Sequence, residues 1–274
     1  MKFHPSKCKV LTVAGRIPES LFSALPFYKY IYSLGGEALD YVDAEKDLGV
    51  VVTSSFDWAE QCGKVYSIAN QKLGLLRRTC HFVMDERRKR VLYLTLVRSQ
   101  FEHCSIIWRP VTQTLCKRLE DLQKRAVKWI LSQENVSYTA TMYIQKCKQL
   151  NLLPIFDRFV FLDLVFFFKV VRGLVPVEFP PYVKPYLGSS RLRSSHMDHL
   201  SFVCSTTAKP SNGAFGKSFF YRIRTHCNWN HLPLEIKQIV GVDEFKSSLL
   251  KHMWKSILSN FDIDNDGTML DEVC

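Results

Sequence analysis

The period of the hydrophobic positions changes near residue 55. Before it, residues 9–13, 28–34 and 48–53 form short runs rich in Val, Tyr and Ile. That composition suits strands. Gly35-Gly36 separates residues 28–34 from 38–42. Two glycines tolerate the positive φ of a two-residue hairpin turn, so a hairpin is expected there. Residues 16–26 read as an irregular loop or a short helix.

After residue 55 the period becomes helical, and residues 57–172 read as helix throughout. Ser55 is placed to cap a first helix with Trp58, Cys62, Val65, Ala69, Leu73 and Leu76 on one face. Asp85 is placed to cap a second, which turns Val91, Leu92, Leu96 and Phe101 inward. A third starts at Thr112 or Thr114. Its Leu115, Leu119, Leu122, Ala126, Trp129 and Ile130 fall in one stripe. A fourth covers about 139–149. Pro154 suits the first turn of a fifth, which Gly173 and Pro176 would end. Residues 159–171 are the greasiest run, yet contain Asp163 and Lys169. That run is too short and too charged to span a bilayer and reads as a buried helix.

Residues 174–200 collect Pro176, Pro180, Pro181, Pro185, Gly188, Ser189 and Ser190, the composition of a linker. Beyond it, 200–205 and 219–224 read as strands, and Asp243 as the cap of a last helix ending near Ser259. Trp229, in the phrase WNHLP, reads as an inward residue packing a turn, with Pro233 stopping the strand. The fold class expected is mainly α with small antiparallel β pieces (α+β). The divisions are a β region over 1–53, a helical bundle over 54–173, a linker over 174–200, a strand/helix segment over 201–259, and an acidic disordered tail over 260–274.

Composition narrows the class. Of 274 residues 47% are hydrophobic and 23% charged, which excludes a wholly disordered or collagen-like chain. The net charge of +11 is unevenly placed. Residues 260–274 carry Asp262, Asp264, Asp266, Asp271 and Glu272 and no Lys or Arg, whereas 57–129 hold 15 basic against 7 acidic residues. A basic stretch of that kind points to a polyanion partner.

Other candidate chemistry is weaker. The tail imitates a calcium loop, with Asp262, Asp264, Asp266 and Gly267 at positions 1, 3, 5 and 6. Position 12 is Val273 instead of the closing Glu, so a solvated tail is the better reading. Nine single cysteines, none in CxxC spacing, read as reduced intracellular thiols. The dyads Cys80-His81, His103-Cys104 and His226-Cys227, with His196 and His199, lack the paired arms of a zinc site. No metal, cofactor or membrane partner is expected, and no apolar signal region opens the chain.

The candidate site is basic. Lys117, Lys124 and Lys128 fall opposite the apolar stripe of the third helix, flanked by Arg118 and Arg125. Arg77, Arg78, Arg87, Arg88, Lys89 and Arg90 cluster around the preceding turn. Such charges hold phosphate backbones without reading bases. They also suit a solvated face, in which Glu120 and Asp121 pair with Lys124 and Arg125 at i,i+4. Tyr138, Trp108, Trp229 and Trp254 are candidates to stack bases.

An ordered series of phrases carries a resemblance. FHPSKCKVL at 3–11 is followed by YSLGGEAL at 32–39, KDLGVVV at 46–52 and KLGLLRRT at 72–79. VLYLTLVRSQFEHCSIIWRP at 91–110, LEDLQKRAVKWIL at 119–131 and LNLLPIFDRFVFLDLVFFFKVVRGLVP at 150–176 come next. FFYRIRTHCNWNHLP at 219–233 and EFKSSLL at 244–250 close it. Together they resemble the C-terminal part of reverse transcriptases of LINE-type, jockey-like non-LTR retrotransposons. The resemblance implies a palm edge over 1–53 and a thumb-like helical region after it. It also implies RNA or an RNA–DNA hybrid as partner. In that family paired palm aspartates hold two Mg²⁺ ions that clamp the attacking and leaving oxygens. No Asp-Asp pair occurs in this chain. The resemblance therefore implies a non-catalytic portion whose metal belongs to an upstream polymerase region. A helical protein-interaction module, or a non-functional retroelement remnant, is the competing expectation.

Overall fold

The computed structural model describes residues 4–12, 30–80, 85–110, 112–186, 199–204, 219–225 and 229–261. The expected calcium-like loop, His81, His196, His226 and Cys227 lie outside them. The described chain is mainly helical, with four two-stranded pairs.

The N-terminal β pieces follow turn chemistry. Strands β2 (Ser33–Leu34) and β3 (Glu37–Ala38) pair antiparallel around Gly35-Gly36, whose φ values are +63° and +88°. Both angles are the ones glycine accepts without strain. Strands β5 (Ala44–Asp47) and β6 (Val50–Thr53) pair around Leu48-Gly49 in the same way. Strand β1 (Lys9–Val10) pairs with β4 (Asp40–Tyr41), and this pair is parallel, not antiparallel. Lys9 Nζ meets Asp40 across it at 2.9 Å.

Helix α1 (Ala59–Thr79) buries Cys62, Val65, Ala69, Leu73 and Leu76, the face expected. Its cap differs: Asp57, not Ser55, accepts from the Ala59 N–H. Asp85 caps α2 (Glu86–Leu92) as its position suggests, accepting from the Arg88 N–H at 2.7 Å. The helix continues through a π-helical segment (Tyr93–Arg98) into α3 (Ser99–Glu102). Wider π turns keep a four-residue repeat on one face. Lys89, Tyr93, Val97 and Phe101 are therefore buried in one row, with Arg98 buried beside it. Val91 and Leu96, expected inside from a pure α period, are exposed.

A short α4 (Ser105–Trp108) leads to α5 (Gln113–Ile130), which buries Leu119, Leu122, Gln123, Ala126, Val127, Trp129 and Ile130. Thr139 caps α6 (Ala140–Gln149) through its hydroxyl. Helix α7 (Ile155–Val171) is buried around most of its circumference. Gly173, at φ +65°, ends it.

The Pro-rich stretch is not a free linker over its described part. Strand β7 (Val183–Pro185) pairs with β8 (Phe202–Cys204), and Phe179 stacks on Phe202 and meets Phe167. Residues 219–224, expected as a strand, belong to helix α8 (Phe219–Thr225). Aromatic and β-branched residues favour strands only as a weak prior, and packing overrides it. Phe219 meets Phe166 of α7 edge-on at 5.1 Å. Helix α9 (Leu234–Gln238) follows Pro233, and α10 (Val242–Ser259) is capped by Gly241, with Asp243 in the first turn instead of at the cap.

One hydrophobic cluster runs from Val50 of β6 through every long helix to Leu258 of α10. The helical region and the C-terminal segment share it. Phe168 stacks on Phe245 at 4.1 Å, and Phe167 meets Phe202 and Trp229 edge-on. Such ring pairs contribute about 0.5–1.5 kcal/mol each beyond area burial. Within this core Asp163 of α7 is almost fully buried and binds Arg109 at 2.8 Å and Arg222 of α8 at 3.4 Å. Arg222 also donates to the Ile106 carbonyl. Removing one member of a buried ionic group leaves uncompensated charge, at about 3–5 kcal/mol. Asp163→Ala is expected to lower the unfolding free energy by that amount in urea titration. A loss under ~1 kcal/mol would show that the arginines find other partners.

Candidate nucleic-acid interface

Helix α5 builds the site because both of its faces are fixed from inside. Buried Gln123 accepts from the Tyr93 hydroxyl at 3.0 Å and donates to the Tyr143 hydroxyl and the Leu153 carbonyl. Glu120 accepts from the Tyr143 hydroxyl and from the Ile155 N–H at 2.7 Å. Burial pushes the Glu120 carboxyl above its ordinary range, despite those bonds. These two side chains set the rotation of α5 and tie it to α6 and to the start of α7. Its cations must then face outward.

Lys117 and Arg118 are exposed, and Lys124, Arg125 and Lys128 half-buried. Tyrosine rings carry several of them. The Arg118 guanidinium lies 4.6 Å from the Tyr66 ring centre, and Arg125 donates to the Tyr66 hydroxyl at 3.3 Å. Lys124 lies over Tyr143 and Lys128 over Tyr138, at 5.4 and 5.2 Å. Each exposed cation–ring contact is worth about 0.5–1 kcal/mol. The expected i,i+4 pairs do not form as drawn. Glu120 turns inward, Asp121 meets Lys124 at 3.6 Å, and Arg125 donates to the Asp121 carbonyl.

The cluster around the α1–α2 turn divides. Arg77 and Arg78 are exposed in the last turn of α1, and Arg77 binds Glu134 at 2.8 Å. Cations there complement the helix dipole, so stability alone explains their place. Arg87 and Arg88 are exposed in the first turn of α2, where the dipole opposes them. Arg88 is offset by Asp85 at 3.8 Å. Lys89 is a correction: it is 4% exposed and donates to the Ser132 hydroxyl at 2.8 Å and the Trp129 carbonyl. Arg90 is another, because it donates to the Leu150 and Asn151 carbonyls at the end of α6. Both hold helices together.

The tryptophans are likewise structural. Trp108, Trp229 and Trp254 are buried, and Trp229 points inward as its phrase suggests, donating to the Leu200 carbonyl. Tyr138 alone of the four stacking candidates is partly exposed. Burial pushes the Cys62 and Cys147 thiols up to about 12, which keeps both protonated. His103 Nε2 lies 3.4 Å from Cys104 Sγ and 3.2 Å from the Leu48 carbonyl. Among the described residues, no three His, Cys, Asp or Glu are grouped to hold a metal ion. Among them too, no helix is long and apolar enough to cross a membrane.

Periodicity did not expose a cavity of about 370 Å³ beside the lysine row. Lys124, Tyr138, Tyr143 and Glu120 line it together with Asp157 and the end of α10. Burial, then the neighbouring Glu120, raises the Asp157 carboxyl from 3.8 to about 6. Only knowledge of where α10 ends would have revealed this, since Asp157 in the first turn of a helix reads as a dipole partner.

Two outcomes test the placement. Lys89→Ala is expected to cost about 1–3 kcal/mol of stability, because it strips the buried Trp129 carbonyl of its donor and the Ser132 hydroxyl of a partner. Arg87→Ala should stay within ~0.5 kcal/mol. Equal losses in chemical denaturation would refute the division. A carboxyl raised in the folded state destabilises it fully above the folded value, and the penalty fades as pH falls toward 3.8. Asp157→Asn should therefore be more stable than the parent by roughly 2–3 kcal/mol at pH 8. The gap should close near pH 4. A pH-independent gap would contradict the burial of Asp157. No protein-family model matches the chain. No curated protein matches it, and no solved structure does.

Proposed function

We propose that this chain is a non-catalytic, thumb-side and C-terminal portion of a LINE-type, jockey-like reverse transcriptase, which holds RNA or an RNA–DNA hybrid by its phosphates. The ordered phrases from FHPSKCKVL to EFKSSLL support the family. The observation that carries the binding role is the cation row of α5, in which Arg118, Lys124 and Lys128 lie over tyrosine rings. Held side chains lose less entropy when they meet a phosphate than free ones do. Arg78, Arg87 and Arg88 are further exposed cations at the α1–α2 turn, where Arg77 pairs with Glu134. The two Mg²⁺ ions of polymerisation belong, on this reading, to an upstream palm that is the chain's natural partner. A helical protein-interaction module is the competing reading.

Fluorescence anisotropy with a labelled single strand and a hairpin, from 50 to 300 mM KCl, separates the two. Binding through phosphates should weaken by roughly 0.7–0.9 log units per log of salt for each phosphate neutralised. Lys117→Gln, Lys124→Gln and Lys128→Gln together keep polar side chains on the face and remove three charges. The triple variant should flatten the slope by roughly 0.7–0.9 for each of these lysines that meets a phosphate. An unchanged slope with intact circular dichroism would favour the interaction module. The same chain should incorporate no dNTP on a primed template with Mg²⁺ or Mn²⁺. Extension above a buffer blank would overturn the non-catalytic assignment.

A further inference from the structure

The cavity beside the lysine row has mixed chemistry. Its acceptors are the Glu120 and Asp157 carboxylates, and its flat walls come from Tyr138, Tyr143 and Phe261. Lys124 lines it and Lys128 sits against the Tyr138 ring, so cations stand at the side of the acceptors. At about 370 Å³ it falls within the range of small-molecule pockets. Glu120 is already engaged, by the Tyr143 hydroxyl and the Ile155 N–H. Asp157 is bonded by no side chain among the described residues: its carboxyl takes its own backbone N–H, with the Arg109 charge near enough to draw it down in part. A carboxylate kept in a half-buried place at a cost to folding is a recurrent mark of a binding site.

The arrangement selects its ligand. A divalent cation would need three converging ligands, and the described residues bring no such group together. An ammonium or guanidinium would suit Asp157 and be repelled by Lys124 and Lys128. A ligand with hydrogen-bond donors at one end and an anion at the other satisfies both signs. Guanine has two adjacent donors, N1–H and N2–H, on its Watson–Crick edge. Adenine and cytosine offer one amine beside an acceptor, and uracil one N–H between two carbonyls that would oppose a carboxylate. Single-stranded bases are recognised in this way, splayed onto aromatic rings and bound at their edges.

We propose that this cavity takes a guanine of a single strand, with Asp157 accepting from N1–H and N2–H, the tyrosines flanking the ring, and Lys124 and Lys128 meeting its phosphate. The proposal rests on the nucleic-acid reading of the α5 face and adds base preference to it.

The test uses the whole chain and two probe sets. One is GMP against AMP, CMP and UMP by calorimetric titration. The other is a labelled oligo-U with and without a single central G, by anisotropy at fixed salt. A well-formed bidentate contact should favour GMP and the G-containing strand by about tenfold or more. Asp157→Asn places a donor where guanine also donates. It should reduce that preference to within about twofold on both probe sets while leaving the salt slope on oligo-U unchanged. Equal binding of all four nucleotides, or a G preference that survives Asp157→Asn, overturns the pocket. Salt-dependent oligo-U binding without any G preference overturns the pocket and leaves the phosphate reading standing. GMP selectivity lost in Asp157→Asn, with no strand binding at any salt, supports the pocket as a free-nucleotide site and overturns the strand reading.

Discussion

The structure depends on one buried carboxylate. Asp163 sits in the most apolar helix of the chain, where an unpaired charge would be prohibitive. Two of its partners come from distant places: Arg109 just after α4, and Arg222 in α8. Meeting both requires α8 to dock on α7. That docking carries the 201–259 segment into the same core as the helical region. The Phe167 and Phe168 contacts with Phe202, Trp229 and Phe245 then close around it. A second ionic group works alongside. Glu102 is shared by Arg98 and Arg158 at 2.7 and 2.8 Å. Burial pushes its carboxyl up, but the two arginines outweigh that and hold it below its ordinary value.

With α7 fixed, α5 has little freedom. Glu120 binds the Ile155 N–H at the first residue of α7, and Gln123 binds the Leu153 carbonyl just before it. Glu120 reads from the sequence as part of a solvated face, yet both side chains are inward anchors. The outward face of α5 is thus what remains after the polar anchors and the apolar stripe are satisfied. Its cations rest on tyrosines from α1, α6 and the turn before α6. The proposed phosphate-binding role uses a surface that the core has already oriented.

Much of this was legible in the sequence where local chemistry decides. The Gly35-Gly36 turn, the Asp85 cap and the buried stripe of α5 follow from backbone geometry and period alone. Strand β5 was not legible, since Ala-Glu-Lys-Asp has no strand preference and is held by pairing with β6. In the run Arg87, Arg88, Lys89, Arg90, nothing local says which cation turns inward. The π-helical segment after it decides, by aligning Lys89 with Tyr93, Val97 and Phe101. The 219–224 segment misled because its aromatic residues serve tertiary packing and not a sheet. Asp157 was invisible because its surroundings are assembled from α5, α6 and the end of α10, which no local pattern connects.

The central claim is that the helical region and the C-terminal segment fold as one cooperative body, joined at Asp163. Scanning calorimetry of the whole chain tests it most directly. A single transition is expected, with the calorimetric enthalpy equal to the van't Hoff enthalpy. Two resolved transitions, or a calorimetric enthalpy well above the van't Hoff value, would mean that the 201–259 segment unfolds independently. The carboxylate would then not join the two.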